Sequence, residues 1–387
     1  SMVPVQKFDD HPLSKRYADH VRKRMAEFNP EAEADLIWNN QKARAKSKGQ
    51  PEPPRPDPKT LPSWNIPGKS PSDMGSVHNG YFGVFKGYQI KGVVFHQGFN
   101  NTISENCRPK RYRLLTKLMV EGWREDFGDP SLPVCIIGGC GGNAPQNMSN
   151  FEQYSIETSP YIREAQRLGL EDVGDPQNTE FIPDHDVVVP GLHPSNKREH
   201  GRRAAQWAIS HIYKVQNTSR ITPTVPQVEA KDDMMIVRFA DKQNVQPVNG
   251  SEILEGFSLA GEDGKFYMAY ARHLPVEQNG EWKKELKAIH VWSPMVEKPV
   301  ALRYAWATNA MGNLKLNGDQ DIPFPSFRTD NWDLPESEDP AESMMGRSWN
   351  NQQKADGQAR LEARRLKEAE MGRALVERLE QMTNLKK

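Results

Sequence analysis

The chain has 387 residues, the length of one large domain or of two ordinary ones. Its 51 basic residues balance 51 acidic ones, so bulk charge favours neither nucleic acid nor an anionic membrane surface as a partner. No stretch approaches about 18 consecutive apolar residues, which excludes a long membrane-spanning helix, and the 3 cysteines are too few for a disulfide framework.

The N-terminal part of the chain predicts helix followed by an extended strap. Residues 12–50 carry apolar side chains at helical spacing before and after Pro30. The run at 51–58 is dominated by proline. Because proline fixes φ and lacks the backbone donor, this run excludes both helix and central strand. We expect a spacer or strap here rather than a proline-motif ligand.

The middle of the chain alternates between two kinds of pattern. Short apolar runs predict buried parallel strands at 90–95, 132–137 and 186–189. Amphipathic patterns predict helices at 113–126, 159–168 and 196–213. Strands that alternate with helices are typical of a doubly wound α/β domain.

From about Thr222 the pattern changes to short strands separated by turn signals such as Asn279-Gly280, which predicts a small all-β unit, a sandwich. Residues 347–384 predict an exposed amphipathic helix, which either docks on its own domain or pairs with a partner. The predicted organisation is helix and strap at 1–75, α/β core at 76–221, small β-sandwich at 222–335 and charged helical tail at 336–387.

Two polar loops follow predicted strands, which is where active sites of open α/β sheets lie. In the first, Gly98 permits close backbone approach, and Gln97 or Asn100 could donate to a developing oxyanion. In the second, His193 precedes a predicted helix and could act as a base. Asparagine and glutamine side chains in loops usually cap local backbone, and a lone histidine in a loop is seldom a base. Each loop becomes a stronger active-site candidate only if the two loops face each other.

Two other groups are weaker candidates. Asp184-His185-Asp186 could coordinate a metal ion, but no partner cluster is evident, and a solvated loop is the more common outcome. Cys140 lies in a glycine-rich run and could be a nucleophile, but nothing nearby in sequence would lower the pKa of its thiol.

Several segments resemble, in the right order, motifs of the sialate O-acetylesterase-like carbohydrate esterases of the SGNH hydrolase superfamily. The resemblance runs from about residue 12 to 332. The matching segments are 77–82, 90–101, Trp123-Arg124 with Leu132-Pro133-Val134, Arg163-Glu164-Ala165-Gln166, 192–197 with Gly201-Arg202-Arg203, Gly256-Phe257, 299–304 and 327–330.

The resemblance implies an SGNH-type three-layer α/β/α fold with a doubly wound parallel sheet, followed by a small β-unit. It implies hydrolysis of acetyl esters on sugars, sialate or polysaccharide, by a serine nucleophile, with no metal or cofactor, in a secreted or periplasmic protein. The implied residues are His193 as general base, Asp184 or Asp186 as a substitute for its orienting carboxylate, Gln97, Gly98 and Asn100 on the oxyanion side, and Asn79 in the acyl or sugar pocket.

The chain departs from the family pattern at the nucleophile. No Gly-Gln-Ser-Asn or Gly-Asp-Ser element is found, and Ser70, Ser72 and Ser76 lie where the family does not place its serine. Phe99 stands where the family has glutamate, and Gly191 where it often has aspartate.

Three hypotheses follow from these departures. The first is an esterase that acts on acetylated carbohydrate, with its serine-bearing first strand on an N-terminal piece that is either cleaved into a separate companion fragment or left out of this sequence. The second is a catalytically degenerate relative that binds carbohydrate. The third is a structural interaction protein built around the C-terminal helical tail, through which the chain could also form an oligomer.

Overall fold

The structure is a computed structural model. It describes residues 1–71, 73–102, 107–139, 144–187, 197–215, 225–240, 245–247, 253–316, 322–332 and 347–384, with side chains of the last segment at 351–378. The chain divides into two compact units. The first comprises Ser1–Ile90, Arg113–Leu132 and Ser337–Glu342, and the second Lys91–Tyr112, Pro133–Glu336 and Ser343–Lys387.

The described part of the first unit is helical, and its long helices lie where the sequence predicts helix, within 12–50 and over 113–126. Its helices are α1 (Pro12–Ala26), α2 (Pro30–Ser47) and most of α3 (Pro109–Phe127). Asn29 sets the start of α2. Its side chain caps the helix, and Pro30 occupies the first helical position. Short 3-10 turns lie at Val5–Asp9, Pro58–Thr60, Ser63–Asn65 and Gly83–Phe85, and a π-helical turn at His78–Phe82.

The proline-rich run lies along α2 as an extended strap. The Trp38 indole donates to the carbonyl of Pro53 at 2.9 Å, and Arg55 pairs with Asp35 at 2.6 Å and Glu31 at 2.9 Å. The strap is therefore attached by polar contacts on one face of the helix, which matches the spacer interpretation of the sequence.

The core of the first unit forms around Trp123 of α3. This indole is fully buried, stacks on Phe82 with centroids 4.5 Å apart, and donates to the carbonyl of Met2 at 3.1 Å. At the residue before it, a Cβ at Gly122 would lie 2.5 Å from the ring of Pro4, so glycine permits the N-terminal segment to cross the helix closely.

The second unit contains a three-stranded parallel sheet of β1 (Val93–Phe95), β2 (Val134–Ile137) and β3 (Thr179–Ile182), in the order β1-β2-β3. Its helices are α4 (Phe151–Tyr154), α5 (Ser159–Glu171) and α6 (Arg198–Trp207), the last continued by a π-helical turn at Ala208–Ile212. A 3-10 turn covers Phe99–Thr102. The sheet with its helices confirms the predicted α/β character of this region.

The third strand is not where the sequence predicts it. Asp186 and Val187 lie in a turn that follows β3, and residues 188 and 189 lie outside the described residues. The strand at Thr179–Ile182 escaped prediction because Glu180 interrupts its apolar pattern, although this side chain is itself buried. Burial of a charged side chain in a parallel strand is uncommon and is not visible in the hydropathy of the run.

The C-terminal strands form a seven-stranded antiparallel sheet in the order β12-β10-β7-β8-β9-β5-β4 and a two-stranded ribbon of β11 and β6. The bounds are β4 Gln227–Lys231, β5 Met234–Arg238, β6 Val245–Pro247, β7 Leu254–Ala260, β8 Tyr267–Gln278, β9 Glu281–Trp292, β10 Ala301–Tyr304, β11 Leu314–Leu316 and β12 Phe327–Arg328.

The ribbon and the large sheet share one core. Val245 and Leu314 of the ribbon are buried in the same cluster as Phe257 and Ile289 of the sheet. Of the predicted turn signals, Asn279-Gly280 forms the β8–β9 hairpin turn with φ of 56° and 80°, the left-handed conformation that this pair favours. A second Asn-Gly pair, Asn249-Gly250, which also predicts a turn from the sequence, lies outside the described residues.

The charged tail forms one long helix, α7 (Arg347–Asn384), which docks within its own unit. Arg364 pairs with the buried Glu152 of α4 at 2.7 Å, and Arg360 donates to the carbonyl of Phe266 at 2.5 Å. Further along the helix, Leu366 and Leu375 stay exposed, and an oligomer through this helix remains a prediction. Every helix of the described chain is too short or too polar to cross a membrane.

Candidate functional site

Polar side chains meet where the parallel strands end. His96 comes directly after β1 and Asp184 two residues after β3, and His200 joins them from the start of α6. Asp184 Oδ2 lies 3.2 Å from His200 Nε2 and 3.7 Å from His96 Nε2. The two imidazoles stack on each other, with ring centroids 4.8 Å apart. The three residues form a compact His–Asp–His cluster at the carboxyl edge of the sheet.

The histidines keep the buried carboxylate of Asp184 ionised. Burial alone would raise the pKa of this carboxyl, but hydrogen bonding and charge from His200 and His96 outweigh it and lower the pKa to about 2. The neighbouring His185 has the opposite environment, because burial disfavours its cation and lowers its pKa to about 4. Around neutral pH, Asp184 is therefore an anion and His185 a neutral imidazole.

Both carboxylates proposed to orient His193 are engaged by other partners. Asp184 belongs to the cluster with His96 and His200, and Asp186 accepts two hydrogen bonds from Arg203, at 2.8 and 2.5 Å. Arg203 is held in turn by the carbonyl of Pro183 at 2.8 Å. His193, like Gly191, lies outside the described residues, so its role as base and its orientation by either aspartate stay predictions.

The loop after β1 is fixed from behind by Gln166 of α5. The Gln166 amide donates to the carbonyl of Gln97 at 2.9 Å and accepts from the backbone N–H of Gly139 at 3.2 Å. Tyr112 also donates to the Gln97 carbonyl, at 3.3 Å. One glutamine side chain thus joins the segments that follow β1 and β2. Sequence reasoning gave it no role, although it lies in the matched Arg-Glu-Ala-Gln segment.

The predicted oxyanion residues lie together on this loop. Gln97 and Asn100 have exposed side chains, whereas Gly98 between them is buried. Gly98 has a φ of 131°, and a Cβ there would lie 2.8 Å from the Tyr112 hydroxyl and 3.0 Å from the Gln166 amide nitrogen. Glycine is therefore required here by both backbone conformation and space. The part these residues play in stabilising an oxyanion stays a prediction.

Replacing Gly98 with alanine should destabilise the protein by about 1–3 kcal/mol, because the new Cβ meets two side chains and the backbone is strained. Urea unfolding followed by circular dichroism measures the change. Gly201→Ala is the matched control, since a Cβ at Gly201 meets nothing within 4 Å and alanine suits a helix. Equal stability of Gly98→Ala and wild type would contradict the described loop.

Asn79 belongs to the first unit, in a polar network of its own. Its side-chain oxygen lies 3.0 Å from Nδ1 of the buried His78, and His78 Nε2 lies 2.5 Å from Asp126. Lys86 contacts the other Asp126 oxygen at 2.7 Å. The side chain of Asn79 is exposed, and its place in a substrate pocket stays a prediction.

Among the described residues, no candidate nucleophile is hydrogen-bonded to a histidine in the contacts given for it. The Ser76 hydroxyl donates to the carbonyl of Gly68 at 3.5 Å, and Ser70 lies in the same turn region of the first unit, while Ser72 and Cys140 lie outside the described residues. Cys135 is fully buried in β2, and burial, followed by the charge of Glu180, raises the pKa of its thiol well above its usual value. Cys135 is therefore an inert core residue.

Comparison with known proteins supports the fold. No protein-family model and no curated protein sequence match the chain. A crystal structure of a carbohydrate acetylesterase from Xanthomonas citri matches over 74% of the chain, with a TM-score of 0.51 and 22% sequence identity. The chain spans 57% of the length of that esterase. The two proteins share a mixed α/β fold.

Proposed function

We propose that this chain is the larger part of a carbohydrate O-acetylesterase of the SGNH type. The proposal is carried by the convergence of the His96–Asp184–His200 cluster and the Gln97–Gly98 loop at the carboxyl ends of parallel strands. Active sites lie at this edge in open α/β sheets, and the fold is shared with an enzyme that deacetylates carbohydrate. Fold likeness by itself would not identify a function.

The proposed reaction is hydrolysis of an acetyl ester on a sugar. A serine hydroxyl attacks the acetyl carbonyl, and His193 accepts its proton and passes it to the leaving sugar alkoxide. The backbone at Gly98 and the amides of Gln97 and Asn100 donate to the oxyanion. Water then cleaves the acetyl-enzyme, with His193 as base for the second time, and acetate leaves.

The serine is proposed to come from a further strand beside β1. In the described part of the chain β1 pairs with β2 only, and Val94 in its centre is 50% exposed. Parallel strands are normally covered on both faces, so an exposed apolar residue here indicates a surface that another element covers.

Further exposed apolar side chains lie in and after the π-helical turn that follows α6. A Cβ at Gly92 would lie 2.9 Å from Ile212, so the π-helical turn after α6 packs beside the start of β1. Next to this contact, Ile209, Tyr213 and Val215 are exposed apolar side chains. A companion polypeptide with an apolar strand that ends in Gly-x-Ser-Asn would cover β1 and bring its hydroxyl to the edge where His96 and Gln97 lie.

A fluorophosphonate probe, which labels activated serines, tests the proposal on the natural gene product in its active form. We expect the probe to abolish hydrolysis of acetylated sugars. Peptide mapping should place the label on a serine outside this sequence, and denaturing mass spectrometry should show a second polypeptide beside the 44.0 kDa chain.

Other outcomes would overturn parts of the proposal separately. A single active 44.0 kDa species with its label on Ser70, Ser72 or Ser76 would refute the companion strand and keep the esterase. Absence of both label and hydrolysis, together with retained binding of acetylated sugar, would refute the esterase in favour of a carbohydrate-binding relative.

A further inference from the structure

The His96–Asp184–His200 cluster has the composition of a metal site. Within the described residues it is the one group of three or more histidine, cysteine and acidic side chains whose ligand atoms all approach one another, here to within 4.8 Å. The residues come from the ends of two strands and the start of a helix, so they meet by folding and not by local spacing. The sequence contains no short motif that brings them together.

The separations suit a small divalent cation. Zinc binds imidazole nitrogen and carboxylate oxygen at about 2.0–2.2 Å, so tetrahedral ligand atoms lie about 3.3 Å from one another. The measured distances from Asp184 Oδ2 are 3.2 Å to His200 Nε2 and 3.7 Å to His96 Nε2. The ligand atoms of all three residues lie within 4.8 Å of one another, so the two imidazoles and the carboxylate must draw together to share an ion.

The environment also favours a cation. Asp184 is fully buried and His200 nearly so, and the His96 side chain is 18% exposed although its Nε2 atom is buried. A buried carboxylate needs a positive charge or several hydrogen bonds nearby. A divalent ion bound by the three residues would supply that positive charge to the Asp184 carboxylate.

We propose that His96, Asp184 and His200 bind a divalent transition-metal ion of the zinc class. Three protein ligands leave a coordination position open, as in zinc sites that keep a bound water. The ion would join β1, β3 and α6 and fix His96, the residue that directly precedes the Gln97–Gly98 loop. The esterase proposal uses the position of the same three residues at the edge of the sheet, but its serine chemistry needs no ion.

The test is metal binding to the purified chain without any substrate. After treatment with a chelator and a check of folding by circular dichroism, Co²⁺ is added and its visible absorption recorded, and Zn²⁺ binding is measured by calorimetry. We expect one ion per chain with the spectrum of low-coordinate Co²⁺. His96→Gln and Asp184→Asn should each weaken binding by more than the roughly 10–100-fold typical of outer-shell changes.

His20→Gln in α1 is the matched control, and it should bind the ion as wild type does. Because Asp184→Asn could unfold the chain, the more exposed His96→Gln decides the outcome if only that variant folds. Zn²⁺ should raise the urea midpoint of the wild type and of His20→Gln, but not that of His96→Gln.

Two results would overturn the metal site. One is a wild-type chain that binds neither ion. The other is binding that survives unchanged in His96→Gln. Either result would leave the cluster as a metal-free network in which two imidazoles hold a buried carboxylate. Neither result bears on the esterase, which is tested by its hydrolysis and its serine label.

Discussion

Replacing His193 with alanine is expected to lower acetyl-ester hydrolysis by about 10³-fold or more, the loss common for a member of a catalytic triad. Without the imidazole no positioned base accepts the serine proton, while the oxyanion donors still bind the acetyl group. The loss should therefore appear mainly in kcat. The measurement is kcat and KM for an acetylated sugar, made on the natural gene product in its active form.

His20→Ala controls for the removal of a histidine as such, and it should retain full activity, since His20 lies in α1. The urea midpoint of His193→Ala should equal that of the wild type. Activity of His193→Ala within tenfold of wild type would refute the assignment of the base. His96 would then be the next residue to replace, because Asp184 lies 3.7 Å from its ring and the side chain is partly exposed.

The sequence predicts an element correctly where its hydropathy pattern agrees with the burial of the same residues in the fold. The run of Val134–Ile137 is apolar throughout and is buried throughout, and it forms the predicted β2. The capping residue Asn29 and Pro30 likewise set the start of α2 through local physics.

Prediction fails where the hydropathy pattern and the burial in the fold disagree. The chain buries Glu180 in β3, whereas the Asp186-Val187 segment, which reads as the start of a strand, is a turn. Arg203 of α6 holds Asp186 in this turn. The two residues are 17 positions apart, and a hydropathy pattern does not reveal such a contact.

The candidate site divides in the same way. Gln97 and Gly98 were predictable because they directly follow an apolar run, where a sheet must end in a loop. His200 was not predictable from the sequence. Its partner His96 is more than 100 positions away, and no local spacing marks either histidine as a site residue. Gln166 stands in a segment matched by family resemblance, but its bonds to Gln97 and Gly139 exist only once α5 packs behind both strands.

The second large effect is expected from Arg364→Ala in α7. The Arg364 guanidinium donates to both carboxylate oxygens of Glu152, at 2.7 and 3.1 Å, and both side chains are almost fully buried. Removal of the cation leaves a buried, uncompensated carboxylate, which typically costs about 3–5 kcal/mol. Glu152 also accepts the backbone N–H of Met268 in β8 at 3.0 Å, so the loss should loosen the contact of α4 with the sheet as well as the helix.

Urea unfolding gives the change in stability, and hydrogen exchange over 351–378 shows whether α7 has detached. Arg373→Ala, an exposed arginine of the same helix, should change stability by no more than about 0.5 kcal/mol. The pair Glu152→Gln with Arg364→Met should recover part of the loss, because it removes the unpaired charge along with its partner.

If Arg364→Ala were as stable and as protected as Arg373→Ala, the ion pair would not hold the tail on its own unit. The helix would then be free for the alternative that the sequence left open, pairing with a partner through residues such as Leu366 and Leu375.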